Sequence, residues 1–136
     1  MTELASLYAL AERDGIRVER FPLPRTGSLS LMDREGNCYI ALDPAGLHGS
    51  VDEKMKLSHE LGHCETGSFY CRSSKCDLRA RHEVRALRWQ IKKLIPRKDL
   101  EEALRHGCTQ AWELAERFGV PEAFVRAAVA YYRVQG

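Results

Sequence analysis

The sequence predicts an α+β fold: an N-terminal helix and a small antiparallel sheet packed on a helical body, in one domain over residues 1–136. Three observations carry this. Apolar residues recur at helical spacing in residues 2–14, alternate with polar ones between residues 16 and 42, and return to helical spacing from residue 50 onward. No repeat, low-complexity tract or linker divides the chain. Its 136 residues suffice for one compact core without covalent staples.

Each element follows from its own residues. Over Thr2 to Asp14, Leu4, Leu7, Tyr8, Leu10 and Ala11 form one helical face, with Thr2 as cap and Gly15 as terminator. "IRVERF", "SLSLMD" and "NCYIAL" alternate or are β-rich, and "DREGN" makes a turn between the last two, so three antiparallel strands are expected. The prolines of "FPLPR" place that stretch in a link or at an edge. Ser50 with Glu53 fits a capping box opening the next helix. A Gly-, Ser- and Lys-rich loop follows, and Asp77 then caps a long helix to Ile95 that Pro96 stops, with Ala80, Val84, Leu87, Ile91 and Leu94 as its stripe. Further helices are expected near residues 97–106, 109–118 and 121–133.

Composition narrows the function. Charged residues at 29% and hydrophobic ones at 44% exclude a disordered chain, and the apolar runs are too short for a membrane span. No secretion signal is visible, so a cytoplasmic protein is expected, with Cys38, Cys64, Cys71, Cys76 and Cys108 as free thiols in a reducing compartment. Cys64 reads as a small buried packing residue, and Cys71-x4-Cys76 lacks the second pair that a structural metal site needs. A net charge of +2 does not point to nucleic acid, and the basic residues crowded between Arg72 and Lys98 read as a solvated helix face.

The chemistry lies in His59-Glu60-Leu61-Gly62-His63. Two imidazoles one helical turn apart project from one face and can converge on one ion, and Glu60 beside them suits a general base. Such a pattern arises by chance in roughly one chain of this length in a few hundred. Met55, Leu57 and Leu61 surround the pair with apolar residues, so part of this helix is buried, where an unpaired histidine is costly. A catalytic Zn²⁺ takes three protein ligands. Glu65, Cys71, Cys76, Asp77, His82 and Glu83 are the downstream candidates, and Glu83 is preferred because it borders the stripe of the following helix.

The motif helix and the helix after it resemble the ImmA/IrrE family of metallopeptidases. His59, Glu60, Leu61, Gly62 and His63 match the family's first motif, and Glu83, Ala86, Trp89, Leu94 and Pro96 match its second at the same relative spacing. The resemblance implies a zincin-like helical body, zinc held by His59, His63 and Glu83, and Glu60 as the catalytic base. It further implies a regulatory endopeptidase of phage or mobile-element type that acts in transcription regulation by cleaving a helix-turn-helix repressor. Leu87 stands where the family carries Asp or Asn, and Gln90 where it carries Ala; Leu87 is expected to remove a hydrogen bond that orients a ligand histidine. Tyr70 is a candidate oxyanion stabiliser.

"AWELAERFGVPEAFVRAAVAYY" has the rhythm of a helix-turn-helix, with Phe124, Val125 and Ala128 inward. Glu122, Arg126 and Arg133 are thin for reading bases, so two packing helices are expected. Three functions therefore stand after the sequence: a zinc endopeptidase acting on a protein or peptide, a catalytically silent metal-binding interaction domain, and a DNA-binding regulator.

Overall fold

The computed structural model describes residues 2–69 and 75–135, and the chain divides into two compact units, residues 1–89 and 90–136. The α+β class holds. Unit 1 begins with α1 (Glu3–Arg13), continues through strands β1 (Arg17–Arg20), β2 (Ser28–Met32) and β3 (Cys38–Leu42), and reaches α2 (Ser50–Thr66) after a short 3₁₀ turn at Pro44–Gly46. Helix α3 (Cys76–Leu94) starts in unit 1 and runs past the division at residue 89. Unit 2 then carries α4 (Arg97–Arg105), α5 (Ala111–Phe118) and α6 (Glu122–Gln135).

Helix α1 starts where expected, the Thr2 hydroxyl accepting the Ala5 N–H at 3.1 Å. Its inner face buries Leu7, Leu10 and Ala11. Two polar contacts fix it to α2: the buried Lys54 ammonium reaches Glu3 at 2.9 Å, and the Tyr8 hydroxyl donates to Glu53. The latter contact changes how α2 begins. Glu53 is taken by Tyr8, with Arg20 at 3.8 Å, so the expected capping box with Ser50 does not form; Gly49 precedes the helix, and the Asp52 carboxylate accepts the His48 N–H at 3.0 Å.

The sheet is mixed rather than antiparallel, in the order β1-β3-β2. β2 and β3 form the expected antiparallel hairpin, but β1 joins the far side of β3 in parallel register, Val18 beside Ile40. Alternation fixes which residues share a face and says nothing of strand direction. What permits the parallel pairing is the link "FPLPRTG", which carries the chain past the end of β3. The Asp43 carboxylate accepts the Leu23 N–H at 3.0 Å, and the Asp43 N–H donates to the Gly27 carbonyl at 2.9 Å, pinning that link.

Cys38, Ile40 and Leu42 of the central strand face inward, and α2 packs on β2, β3 and α1, burying Leu57 and Leu61 completely. A disulfide joins Cys38 to Cys64 across this packing, with Cα atoms 6.0 Å apart. This corrects the sequence reading: these two cysteines are neither free thiols nor, for Cys64, a simple packing residue. Alternation in β3 puts Cys38 on the inner face, and the helical path from His63 puts Cys64 opposite. Cys76 and Cys108 are free, and Cys71 lies outside the described residues.

Within unit 2, Leu114 of α5 and Phe124, Val125 and Ala128 of α6 are buried, as expected for packing helices, and Gly119 supplies the left-handed turn between them at φ +64°. Arg126 pairs along its own helix with Glu122 at 3.3 Å. Among the described residues no helix is long and apolar enough to cross a membrane.

Candidate metal centre

His59, Glu60 and His63 lie in the second half of α2, one face of which meets the sheet, while at Gly62 the helix meets Ala86 of α3. Gly62 sets how close α3 can come. A Cβ at that position would sit 2.5 Å from the Ala86 carbonyl oxygen and 3.1 Å from the Ala86 Cα, well inside contact distance, so only glycine allows the two backbones to meet there. Ala86 is itself fully buried. Glu83 lies three residues earlier on the same face of α3, so this close approach carries its carboxylate to the histidines. The buried face of α3 runs through Ala86, Gln90, Ile91 and Leu94, and Val84 is 42% exposed, so the apolar stripe is rotated from the expected one toward Glu83.

Three donors converge as a result. Glu83 Oε2 lies 3.0 Å from His59 Nε2, and Glu83 Oε1 lies 3.2 Å from His63 Nε2. The ligand atoms of these three residues all fall within 4.8 Å of one another. Among the described residues this is the one such group of His, Cys, Asp or Glu side chains, and the other downstream candidates do not join it. Glu65, Cys76 and Asp77 are exposed. Tyr70 and Cys71 lie outside the described residues.

The donor set is suited to a cation. His63 Nδ1 lies 2.5 Å from the Ser68 carbonyl oxygen, which can only accept, so Nδ1 carries a hydrogen and Nε2 is the ring atom left to face Glu83. Nε2 faces a carboxylate oxygen at 3.2 Å, an arrangement that a shared positive charge, a metal ion or a proton, satisfies. Two imidazoles and one carboxylate with further coordination positions open is a donor set of the catalytic zinc class.

The loop after α2 supplies this orienting carbonyl by the way the helix ends. Gly67 takes the left-handed conformation at φ +64°; its N–H donates to the Cys64 carbonyl at 3.4 Å and the Ser68 N–H to that of His63 at 3.0 Å. This reversal folds Ser68 back over the last turn and points its carbonyl at the His63 ring. Ser68 is fully buried, with its hydroxyl 2.6 Å from that of Thr66. The ring of His63 is thus oriented by a backbone oxygen and needs no polar side chain at position 87 for it.

Glu60 is 6% exposed and points toward the sheet, where Ser28 Oγ donates to its Oε2 at 2.7 Å. A cleft of about 190 Å³ opens over these groups, lined by Ser28, Leu29 and Ser30 of β2, by His59, Glu60 and His63 of α2, and by Glu83. Neither Ser28 nor Ser68 was among the residues expected at the site. For Ser28 the alternation of "SLSLM" offered a clue, since one face of a strand beside the motif helix had to carry serines. The Ser68 carbonyl is backbone and leaves no residue-type signature.

The model of the Peptidase_M78 family, described as the IrrE N-terminal-like domain, matches residues 11–129. The chain belongs to this family. The match covers β1–β3, α2 and Glu83, so it includes every residue of the centre described above. No curated protein matches the chain. Membership marks a zinc metallopeptidase-like domain with protein or peptide substrates, and the His59–His63–Glu83 cluster is where a metal ion can be held.

Proposed function

We propose that this protein is a zinc-dependent endopeptidase in which His59, His63 and Glu83 hold the ion and Glu60 is the catalytic base. The observation that carries the proposal is the convergence of two imidazole nitrogens and one carboxylate within 4.8 Å, with a second, buried carboxylate on the same cleft. When bound, zinc would polarise the scissile carbonyl and acidify water at this site. Glu60 takes a proton from the attacking water as its oxygen bonds to the carbonyl carbon, and returns that proton to the amide nitrogen as the C–N bond breaks. Ser28 holds the Glu60 carboxylate in one orientation, and the Ser68 carbonyl fixes the ring of His63. The substrate we favour is a regulatory protein such as a helix-turn-helix repressor, which follows from the family resemblance.

The test is elemental analysis of the wild type beside His59→Ala and Glu83→Ala, followed by cleavage assays with Glu60→Gln. One zinc per chain, lost or loosened in both ligand variants, with hydrolysis abolished in a zinc-loaded Glu60→Gln, is the expected result. A wild type that takes up no zinc when it is supplied would overturn the metal site. Cleavage unchanged by Glu60→Gln would overturn the base.

A further inference from the structure

A covalent bond ties the end of the motif helix to the sheet. Cys64 follows His63 directly in the last turn of α2, and its partner Cys38 opens β3, where it stands opposite Met32 of β2. The noncovalent anchors of α2 on the sheet and on α1 lie earlier along the helix. Leu57 and Leu61 are fully buried, Lys54 reaches Glu3, and Glu60 accepts from Ser28. Beyond Leu61, the bond at Cys64 holds the last turn to β3.

That turn governs the alignment of His63. The Cys64 carbonyl accepts the Gly67 N–H over a long 3.4 Å, and the His63 carbonyl accepts the Ser68 N–H at 3.0 Å. The reversal so made brings the Ser68 carbonyl to His63 Nδ1. A backbone released at Cys64 gains conformational freedom, and its displacement passes through these bonds to the Ser68 carbonyl.

The disulfide is also within reach of a reagent. A hollow of about 300 Å³ opens onto both cysteines, between the turn at Asp14 and Gly15 and the hairpin turn at Gly36 and Asn37. A Cβ at Gly15 or Gly36 would meet nothing within 4 Å, so neither rim is crowded. Cys38 is 8% exposed and Cys64 is half-buried, so Cys64 Sγ is the atom that an entering thiolate meets. Accessible disulfides are the labile and regulatory ones, whereas purely structural ones resist reduction.

We propose that Cys38–Cys64 is a thiol-exchange site through which a dithiol governs the metal centre, the oxidised chain holding His63 aligned and the reduced chain releasing it. The effect on zinc rests on the peptidase reading above; the exchange itself does not. A thiolate of the dithiol attacks Cys64 Sγ to form a mixed disulfide, and Cys38 leaves as a thiolate that takes up a proton. The second thiol of the reagent then loses its proton, attacks the reagent's own sulfur in that mixed disulfide, and releases Cys64, which is protonated in turn. Two electrons pass to the protein, which gains two hydrogens, and the reagent closes to a cyclic disulfide. A monothiol is poorly suited, because the Cys38 thiolate can expel it and restore the bond. Buried Leu57, Leu61 and Ile40 are untouched by the exchange, so the reduced chain stays folded.

The experiment equilibrates the zinc-free protein, without denaturant, in mixtures of reduced and oxidised dithiothreitol, and reads the state of Cys38 and Cys64 by differential alkylation and mass mapping. After anaerobic removal of the reagent, zinc affinity is measured by competition with a chromophoric chelator and helical content by circular dichroism. The His63 Nδ1–H signal is followed by NMR in the zinc-free chain. Expected are reversible reduction, unchanged helical content, zinc affinity lower by about tenfold or more in the reduced chain, and a His63 Nδ1–H lost to solvent exchange on reduction. The chain carrying Cys38→Ala and Cys64→Ala should bind zinc as weakly as reduced wild type and ignore the reagent. Reduction that requires denaturant, zinc affinity equal in the two states, loss of helix on reduction, or a doubly substituted chain that still responds would each overturn the proposal. A protein that takes up no zinc in either state fails the peptidase reading instead, and the His63 signal then decides the proposal: lost on reduction it stands, unchanged it falls.

Discussion

Replacing Gly62 by alanine tests how the third donor reaches the site. The added Cβ would lie 2.5 Å from the Ala86 carbonyl oxygen, whereas ordinary contact begins at 3.4 Å, so α3 must retreat by 0.9 Å or α2 must turn. Overpacking of this kind costs about 1–3 kcal/mol. Alanine in a helix interior recovers about 1 kcal/mol over glycine. The net loss of stability is therefore modest, and the apo protein should fold. The metal site is less forgiving, since ligand distances are held to within about 0.2 Å. Moving Ala86 moves Glu83, one turn earlier on the same helix, while both histidines stay on α2. Zinc affinity should fall by about 10–100-fold, the size of effect seen when ligand positioning is disturbed. Competition with a chromophoric chelator measures it, and urea unfolding of the apo form measures the stability cost. Affinity within about twofold of the wild type would refute the claim that Gly62 sets the approach of Glu83.

Three further outcomes follow from contacts described above. Ser28→Ala should leave zinc content intact and lower kcat roughly tenfold, because one charge-assisted hydrogen bond no longer orients Glu60; an unchanged kcat would remove Ser28 from the positioning role. The disulfide closes a segment between residues 26 apart in sequence, worth about 3.5 kcal/mol by the chain-entropy account. Denaturant unfolding with and without a phosphine reductant should show that loss, and coincident curves would contradict it. Tyr8 is pushed up to about 12, first by burial and then by its hydrogen bond to Glu53. Its folded value lies above its ordinary value of 10.0, so the associated stability is whole below pH 10 and is lost as pH rises through 12. In a phenolate absorbance titration, one late tyrosine should move only part of the way down in Glu53→Gln, since burial is the larger cause; no movement at all would exclude the Glu53 contribution.

The convergence of Glu83 on the two histidines was legible because helical spacing is rigid: residues four apart must share a face, and Glu83, Ala86 and Leu94 carry one register of the next helix. The rotation of that helix was less so. Val84 and Leu87 are apolar enough to suggest one stripe, while Ala86 and the buried Gln90 make the real one, and small or polar residues give little hydropathy signal. The parallel seat of β1 was hidden because alternation has no direction. The Cys38–Cys64 bond was hidden because pairing depends on which elements meet in space, which cysteine counting does not give. Glu53 illustrates a competition that sequence cannot weigh, a plausible cap drawn instead to Tyr8 and Arg20.

The left-handed residue at the end of α2 has a consequence for how the site is specified. The acceptor that orients His63 belongs to the main chain, so the alignment of the imidazole calls for no carboxylate or carboxamide side chain there. The information for that alignment resides one position earlier, in the φ of +64° at Gly67, where a side chain would strain the turn. The instruction that sets the imidazole is thus carried by the path of the backbone rather than by a neighbouring side chain.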